Sequence, residues 1–245
     1  MIWHSPMPAK SIDRIIAEMK VLANPVRAAH SQKFFRTGPG QYGAGDRFLG
    51  IRVPQVREVA TRYRDLDLEK VHEMLCNPLH EIRLLALIIL VMQFKKADQA
   101  RQKAIYDLYM QNRQCINNWD LVDLSAPTIV GGWLQIRSRA ILSRLARSNS
   151  LWDRRISVLA TFCFIQDGDF DDALSLAEIL LDDSEDLVHK AVGWMLREIG
   201  KRDRKVEESF LKLHYKEMPR TMLRYAIEKF PESLRKRYLQ GRVAA

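Results

Sequence analysis

The chain has 245 residues, 47% of them hydrophobic, and its 39 Lys and Arg outnumber 30 Asp and Glu to give a formal net charge of +9. That length buries a sizeable core as one domain over residues 1–245, and the basic excess favours a polyanionic partner. The longest purely apolar run, Leu84 to Met92, is too short to cross a bilayer, and Cys76, Cys115 and Cys163 lack the paired spacing of a disulfide framework or a zinc site.

Met1 to Lys20 carries Lys10, Asp13, Arg14 and Glu18 and no apolar h-region, so no secretory signal is expected and a reducing cytosol is the expected compartment. Helical periodicity begins at Ser11, a candidate N-cap for Ile12, Ile15, Ile16 and Met19, and Asn24-Pro25 stops it. Val26 to Phe35 reads as a second short helix, residues 37–46 as a glycine-rich flexible connection, and Pro54 as the first turn of the next helix. Beyond Leu68, helix-length segments alternate with polar breaks at Cys76-Asn77-Pro78, Lys96-Ala97-Asp98, Gly131-Gly132, Ser148-Asn149-Ser150, Gln166 to Asp169 and Asp182 to Ser184. Strand signals are never sustained, and the whole chain reads as all-α.

A period organises these helices. Arg83 and Arg155 lie 72 positions apart, twice 36, with Trp119 midway; Lys190 follows Arg155 by 35, and Arg224 follows Lys190 by 34. A repeat near 36 residues, long enough for two short helices, marks a helix-pair solenoid. Equivalent positions then line one face, predicting Arg83, Trp119, Arg155 and Lys190 in a row.

On a helix, residues three or four apart share a face. Trp119 and Asp123 therefore present an indole and a carboxylate together, and Trp194 and Arg197 an indole and a guanidinium. An indole face attracts a cation, a carboxylate stabilises one, and arginine binds phosphate bidentately. The combination describes a site for a cationic group carried on a phosphate backbone.

Four segments occur in order: Phe48-Leu49-Gly50-Ile51-Arg52-Val53-Pro54, Trp119-Asp120-x-x-Asp123, Trp152-x-x-Arg155, and Lys190-Ala191-x-Gly193-Trp194-x-Leu196-Arg197-Glu198. Together they resemble the AlkD-type DNA alkylation-repair glycosylases, from about Phe34 to the C-terminal helices. The resemblance implies a superhelical solenoid of HEAT-like repeats whose concave basic face holds duplex DNA. It also implies excision of N3- and N7-alkylated purines with the lesion left stacked, Asp123 as the catalytic carboxylate, Trp119 and Trp194 as the flanking indoles, and Arg155 and Arg197 as backbone contacts. Phe34 stands where the family prototype has a tyrosine, keeping the apolar contact without the hydroxyl. Arg83 and Lys190 join the DNA-binding set through the repeat. A monofunctional hydrolase of base excision repair follows as the expectation: a monomer with no cofactor, no metal and no membrane partner, cytoplasmic and nucleoid-associated when bound to DNA.

The chemistry fits those residue types. A purine alkylated at N3 or N7 is already a cationic leaving group, so no general acid is required. A fixed carboxylate then stabilises the oxocarbenium character on the deoxyribose and orients water.

Plainer assignments stand beside these. Trp3, Trp133 and Trp152 read as packing residues, Asp120 as a cap for the Asp123 helix, Asp123 as a buried partner for Arg155, and the three thiols as reduced groups in or near the core. The histidines His4, His30, His72, His80, His189 and His214 have no metal spacing, and Asp167-Gly168-Asp169-Phe170-Asp171-Asp172 lacks the terminal glutamate of a calcium loop. Against the glycosylase stands a noncatalytic HEAT-like module that binds nucleic acid or protein. The combined retention of Asp123, Trp119 and Trp194 separates them, because a module that only binds a polyanion needs Lys and Arg and has no use for a carboxylate facing it.

Overall fold

The computed structural model describes residues 11–243, so Trp3 and His4 fall outside the described residues. The described residues form helices joined by turns and loops, with one isolated parallel bridge between Arg47 and Leu79 and no strand. The chain divides between Ser125 and Ala126 into two compact units.

The first unit contains α1 (Ile12–Val21), α2 (Pro25–Phe34), α3 (Val53–Arg62), α4 (Leu68–Leu75), α5 (His80–Phe94), α6 (Gln99–Gln111) and most of α7 (Trp119–Ala126). Local chemistry sets several starts. The Ser11 hydroxyl accepts from the Arg14 amide at 3.3 Å, Asn24 Oδ1 from Arg27 at 2.9 Å, and Asp98 Oδ1 from Arg101 at 2.8 Å, each satisfying a backbone donor that the first turn leaves orphaned. Pro54 lies in the first turn of α3, where its missing N–H costs nothing.

Helix α5 is the centre of this unit. Ile82 and Leu84 through Leu90 are all buried, because α3, α4 and α6 pack around it. A helix apolar on every side needs such enclosure, and each buried leucine contributes roughly 1.5–3 kcal/mol relative to exposure. The first turn of α5 also anchors the segment before α3. The buried Glu81 carboxylate accepts from the backbone amides of Leu49 (2.8 Å), Gly50 (2.7 Å) and Ile51 (3.2 Å). Gly50 sits at φ +76°, and a Cβ there would collide with the Asn24 carbonyl. The Phe48–Pro54 motif is thus a backbone segment clamped by a charge and closed by a glycine.

In the second unit Ala126, the last residue of α7, is followed by a π-helical turn, Pro127–Gly131, running into α8 (Gly132–Leu134). The break expected at Gly131-Gly132 is therefore absent: Gly131 is buried, and any side chain there would strike the Ala160 carbonyl. The remaining helices are α9 (Ala140–Ala146), α10 (Leu151–Ala160), α11 (Phe162–Gln166), α12 (Asp171–Ile179), α13 (Asp186–Gly200), α14 (Arg204–His214), α15 (Arg220–Ala226) and α16 (Glu232–Leu239). Helix α10 packs on α9 and α13, and α13 on α14 and α15. Gly193 permits the last approach, since a Cβ would meet the Met222 carbonyl.

The repeat is visible in these boundaries. Arg83, Arg155 and Lys190 occupy the first turn or the start of the second in α5, α10 and α13, whereas Arg224 lies in the last turn of α15. The period marks the beginning of the recurring helix in the first three.

Candidate active site

Helix α7 opens with Trp119 and carries Asp123 one turn later, both half-buried. The turn starts cleanly because Asn118 Oδ1 accepts from the Trp119 amide at 2.9 Å. Asp120 is not the cap expected of it. Its Oδ1 takes the adjacent Leu121 amide at 2.9 Å, and its Oδ2 faces His80 Nε2 at 2.8 Å.

The Trp119 indole belongs to an aromatic stack. Its ring lies on Phe35 at 5.3 Å and 20°, with Phe34 edge-on at 6.1 Å. Phe35 stacks in turn on Phe48 at 5.0 Å, and Phe48 on His80 at 4.4 Å. Phe34 stays 59% exposed at the outer end. Offset and edge-on contacts of this kind hold rings in place beyond the area they bury, so the indole orientation is fixed from behind.

His80 closes the inner end. Its Nδ1 meets Asp46 Oδ2 at 3.0 Å and its Nε2 meets Asp120. Burial alone would lower its pKa, but the hydrogen bonds and charges of Asp120 and Asp46 prevail and raise it to about 9. The ring is then an imidazolium at neutral pH, donating from both nitrogens. Asp46 is held in the opposite direction: burial favours its neutral form, yet the His80 hydrogen bond, the Arg83 charge and the Asn118 amide (2.9 Å) keep its carboxyl below the ordinary range. The glycine-rich connection over 37–46 is anchored at its end, because its last residue, Asp46, is buried and bonded to three side chains.

Arg83 is also corrected. It is 5% exposed, its guanidinium bonded to Asp46, to the Asn77 carbonyl (3.1 Å) and to Asn117 Oδ1 (3.2 Å). Its side chain organises the interior behind α7 and does not face solvent. Exposed cations near the stack lie elsewhere: Lys33 and Arg36 flank Phe34-Phe35, Arg47 precedes Phe48, and Arg52 caps α3. A cleft of about 430 Å³ opens beside the stack, lined in part by Arg27, His30, Phe35, Phe48, Arg52 and His80.

In the second unit, α13 carries Lys190, Trp194 and Arg197. Trp194 is half-buried and donates Nε1–H to Glu198 at 3.1 Å, with Phe162 at 6.2 Å. Arg197 turns its Nη1 to Glu228, and its Nε is buried without a hydrogen-bond partner among the described residues. Lys190 pairs with Asp186 at 2.7 Å and remains partly exposed. Arg155 is 5% exposed and donates Nη1 to the Leu187 carbonyl. The row of four equally presented side chains is thus altered. Trp119 and Lys190 reach the surface in part, whereas Arg83 and Arg155 are enclosed, because a period fixes position along a helix and not what packs over it.

Sequence reasoning passed over Phe35, Phe48, Asp46, His80 and Asn118. The only linear signal for them was the aromatic opening of the Phe48–Pro54 motif and the His80-Glu81 pair at the head of the most apolar helix. The thiols differ too: Cys76 is exposed, while Cys115 and Cys163 are half-buried. Trp133 packs as expected, with the Arg137 guanidinium 3.5 Å above its ring. Among the described residues, no cluster of three or more His, Cys, Asp or Glu gathers to hold a metal ion.

A predicted DNA alkylation repair enzyme from Enterococcus faecalis has a similar fold, with a TM-score of 0.66 and 16% identity over 86% of this chain and 97% of that one. No curated protein matches the chain. The model of the DNA alkylation repair enzyme family matches residues 15–230, nearly the full length and both units. The chain belongs to the DNA alkylation repair enzyme family.

Proposed function

We propose that the protein is a monofunctional DNA glycosylase that hydrolyses the N-glycosidic bond of cationic N3- or N7-alkylated purines in duplex DNA. The observation that carries this reading is the α7 face, where Asp123 stands one turn from an indole held by Phe34 and Phe35. Asp123 stabilises the positive charge that develops on the deoxyribose and orients the attacking water. Trp119 attracts the cationic nucleotide by on the order of 0.5–2 kcal/mol. Exposed Lys33, Arg47 and Arg52 contact phosphates, and in the second unit the partly exposed Lys190 does so separately.

The charged histidine does not supply an acid to the leaving base, because both its N–H groups are engaged by Asp46 and Asp120. The reaction therefore suits bases that are cationic beforehand and leaves neutral lesions unprocessed. Incubation with a duplex containing one N7-methylguanine, followed by quantification of abasic sites, tests the assignment. Excision is expected, with uracil in the same context untouched. Tight binding without excision would favour the noncatalytic helical-repeat module, and equal release of uracil would refute the selectivity.

A further inference from the structure

The thiols of Cys76 and Cys115 lie 3.4 Å apart, although 39 positions separate them in the chain. Cys76 is the exposed C-cap of α4, and Cys115 ends the 3₁₀ turn Arg113–Cys115 that leads into α7. Each cysteine thus sits at the end of a helical element and not within a long loop. The Cys76 thiol also points at Asn112 Oδ1, 3.8 Å away, and that oxygen is itself held by His72 Nε2 at 2.8 Å.

We propose that Cys76 and Cys115 form a thiol–disulfide site that takes low-molecular-weight disulfides as its oxidant. A disulfide needs its sulfurs at about 2.0 Å, so the pair must close by roughly 1.4 Å from the observed 3.4 Å. A metal occupant lacks further ligands, since no group of three or more His, Cys, Asp or Glu gathers here among the described residues.

The order of events follows from exposure. The accessible Cys76 thiolate attacks one sulfur of the small disulfide, forming a mixed disulfide and expelling one small thiolate. Cys115 then loses its proton and attacks the Cys76 sulfur, expelling the second. Two protein thiols are oxidised to one disulfide, the oxidant is reduced to two small thiols, and the two protein protons end on them. Burial first, and then the hydrogen bond and charge of Cys76, push the Cys115 thiol up to about 11. Both influences of Cys76 vanish once its sulfur is tied up in the mixed disulfide, which eases ionisation of Cys115 at the step where it must attack. The bond would join the end of α4 to the entrance of α7 and enclose α5 and α6. Constraining the unfolded chain across that interval raises the midpoint of thermal unfolding.

This inference does not rest on the glycosylase assignment. The reduced full-length protein, equilibrated with oxidised glutathione, should lose two of its three thiols with no retained glutathione. Its mass should fall by about two hydrogens, as thiol oxidation requires, and peptide mapping should place the link between residues 76 and 115. The melting midpoint should rise and return with dithiothreitol. C76S and C115A should each abolish the link, and C163S should keep it. A stable glutathione adduct on Cys76, a link between two chains, or three thiols surviving excess oxidant would overturn the proposal. The wild-type peptide map decides the matter even if a variant folds poorly.

Discussion

His80 Nε2 lies 2.8 Å from Asp120 Oδ2, joining the first turn of α5 to the first turn of α7. The same ring bonds Asp46 at 3.0 Å through Nδ1, so one imidazolium ties the end of the glycine-rich connection to the helix that carries Trp119 and Asp123. Buried charges persist only when paired and hydrogen-bonded. Here the pairing couples the loop, the apolar centre and the candidate site into one structure.

His80→Leu should destabilise the protein by about 3–5 kcal/mol, because Asp46 and Asp120 then lose their shared cation. A histidine whose folded-state pKa is raised from 6.5 to about 9 contributes stability that is complete below 6.5 and lost as pH rises through about 9. Urea denaturation across that window should show wild-type stability falling relative to the leucine variant. Parallel curves would remove the charge from His80, leaving Arg83 as the only cation on Asp46.

Asp123→Asn should lower single-turnover excision of N7-methylguanine by about 10²- to 10³-fold, the usual cost of losing one preorganised electrostatic group at a reacting centre. Asparagine is nearly isosteric, so the fold should persist and DNA affinity should hold or rise slightly. A variant that excises at the wild-type rate would strip Asp123 of the catalytic role.

Exposure separates the arginines in their effect on DNA binding. Arg52→Ala, at the exposed cap of α3, should reduce the slope of log affinity against log salt by about 1. Arg83→Ala, at a buried residue bonded to Asp46, should leave that slope unchanged and lower the melting temperature. Salt titrations of both variants by fluorescence anisotropy would expose the reverse pattern if the interior assignment of Arg83 were mistaken.

Glu207 is buried in α14 with its Oε1 lacking a hydrogen-bond partner among the described residues. Burial pushes its pKa up from 4.5 to about 8. The folded state then holds a proton that the unfolded chain has released, so stability declines as pH rises from about 4.5 to about 8. Glu207→Gln should remove that decline and be more stable than wild type at pH 8. Equal stabilities at pH 8 would mean that the carboxylate ionises in place without cost.

The sequence by itself determined whatever depends on neighbours along the chain. Ser11, Asn24 and Asp98 cap their helices because each needs only an amide three residues away. The period found the starts of α5, α10 and α13 because equivalent turns recur with equivalent residues. Trp119 and Asp123 share a face for the same reason: helical geometry is local. Only the tertiary structure decided which of those side chains stay open. Arg83 meets Asp46 across 37 positions, His80 meets Asp46 and Asp120 across 34 and 40, and Cys76 meets Cys115 across 39. Periodicity states on which side of a helix a residue lies, but enclosure and partners depend on the next layer. That layer is set by burial of α5, by Glu81 clamping the Phe48–Pro54 segment, and by close approaches at Gly50 and Gly193.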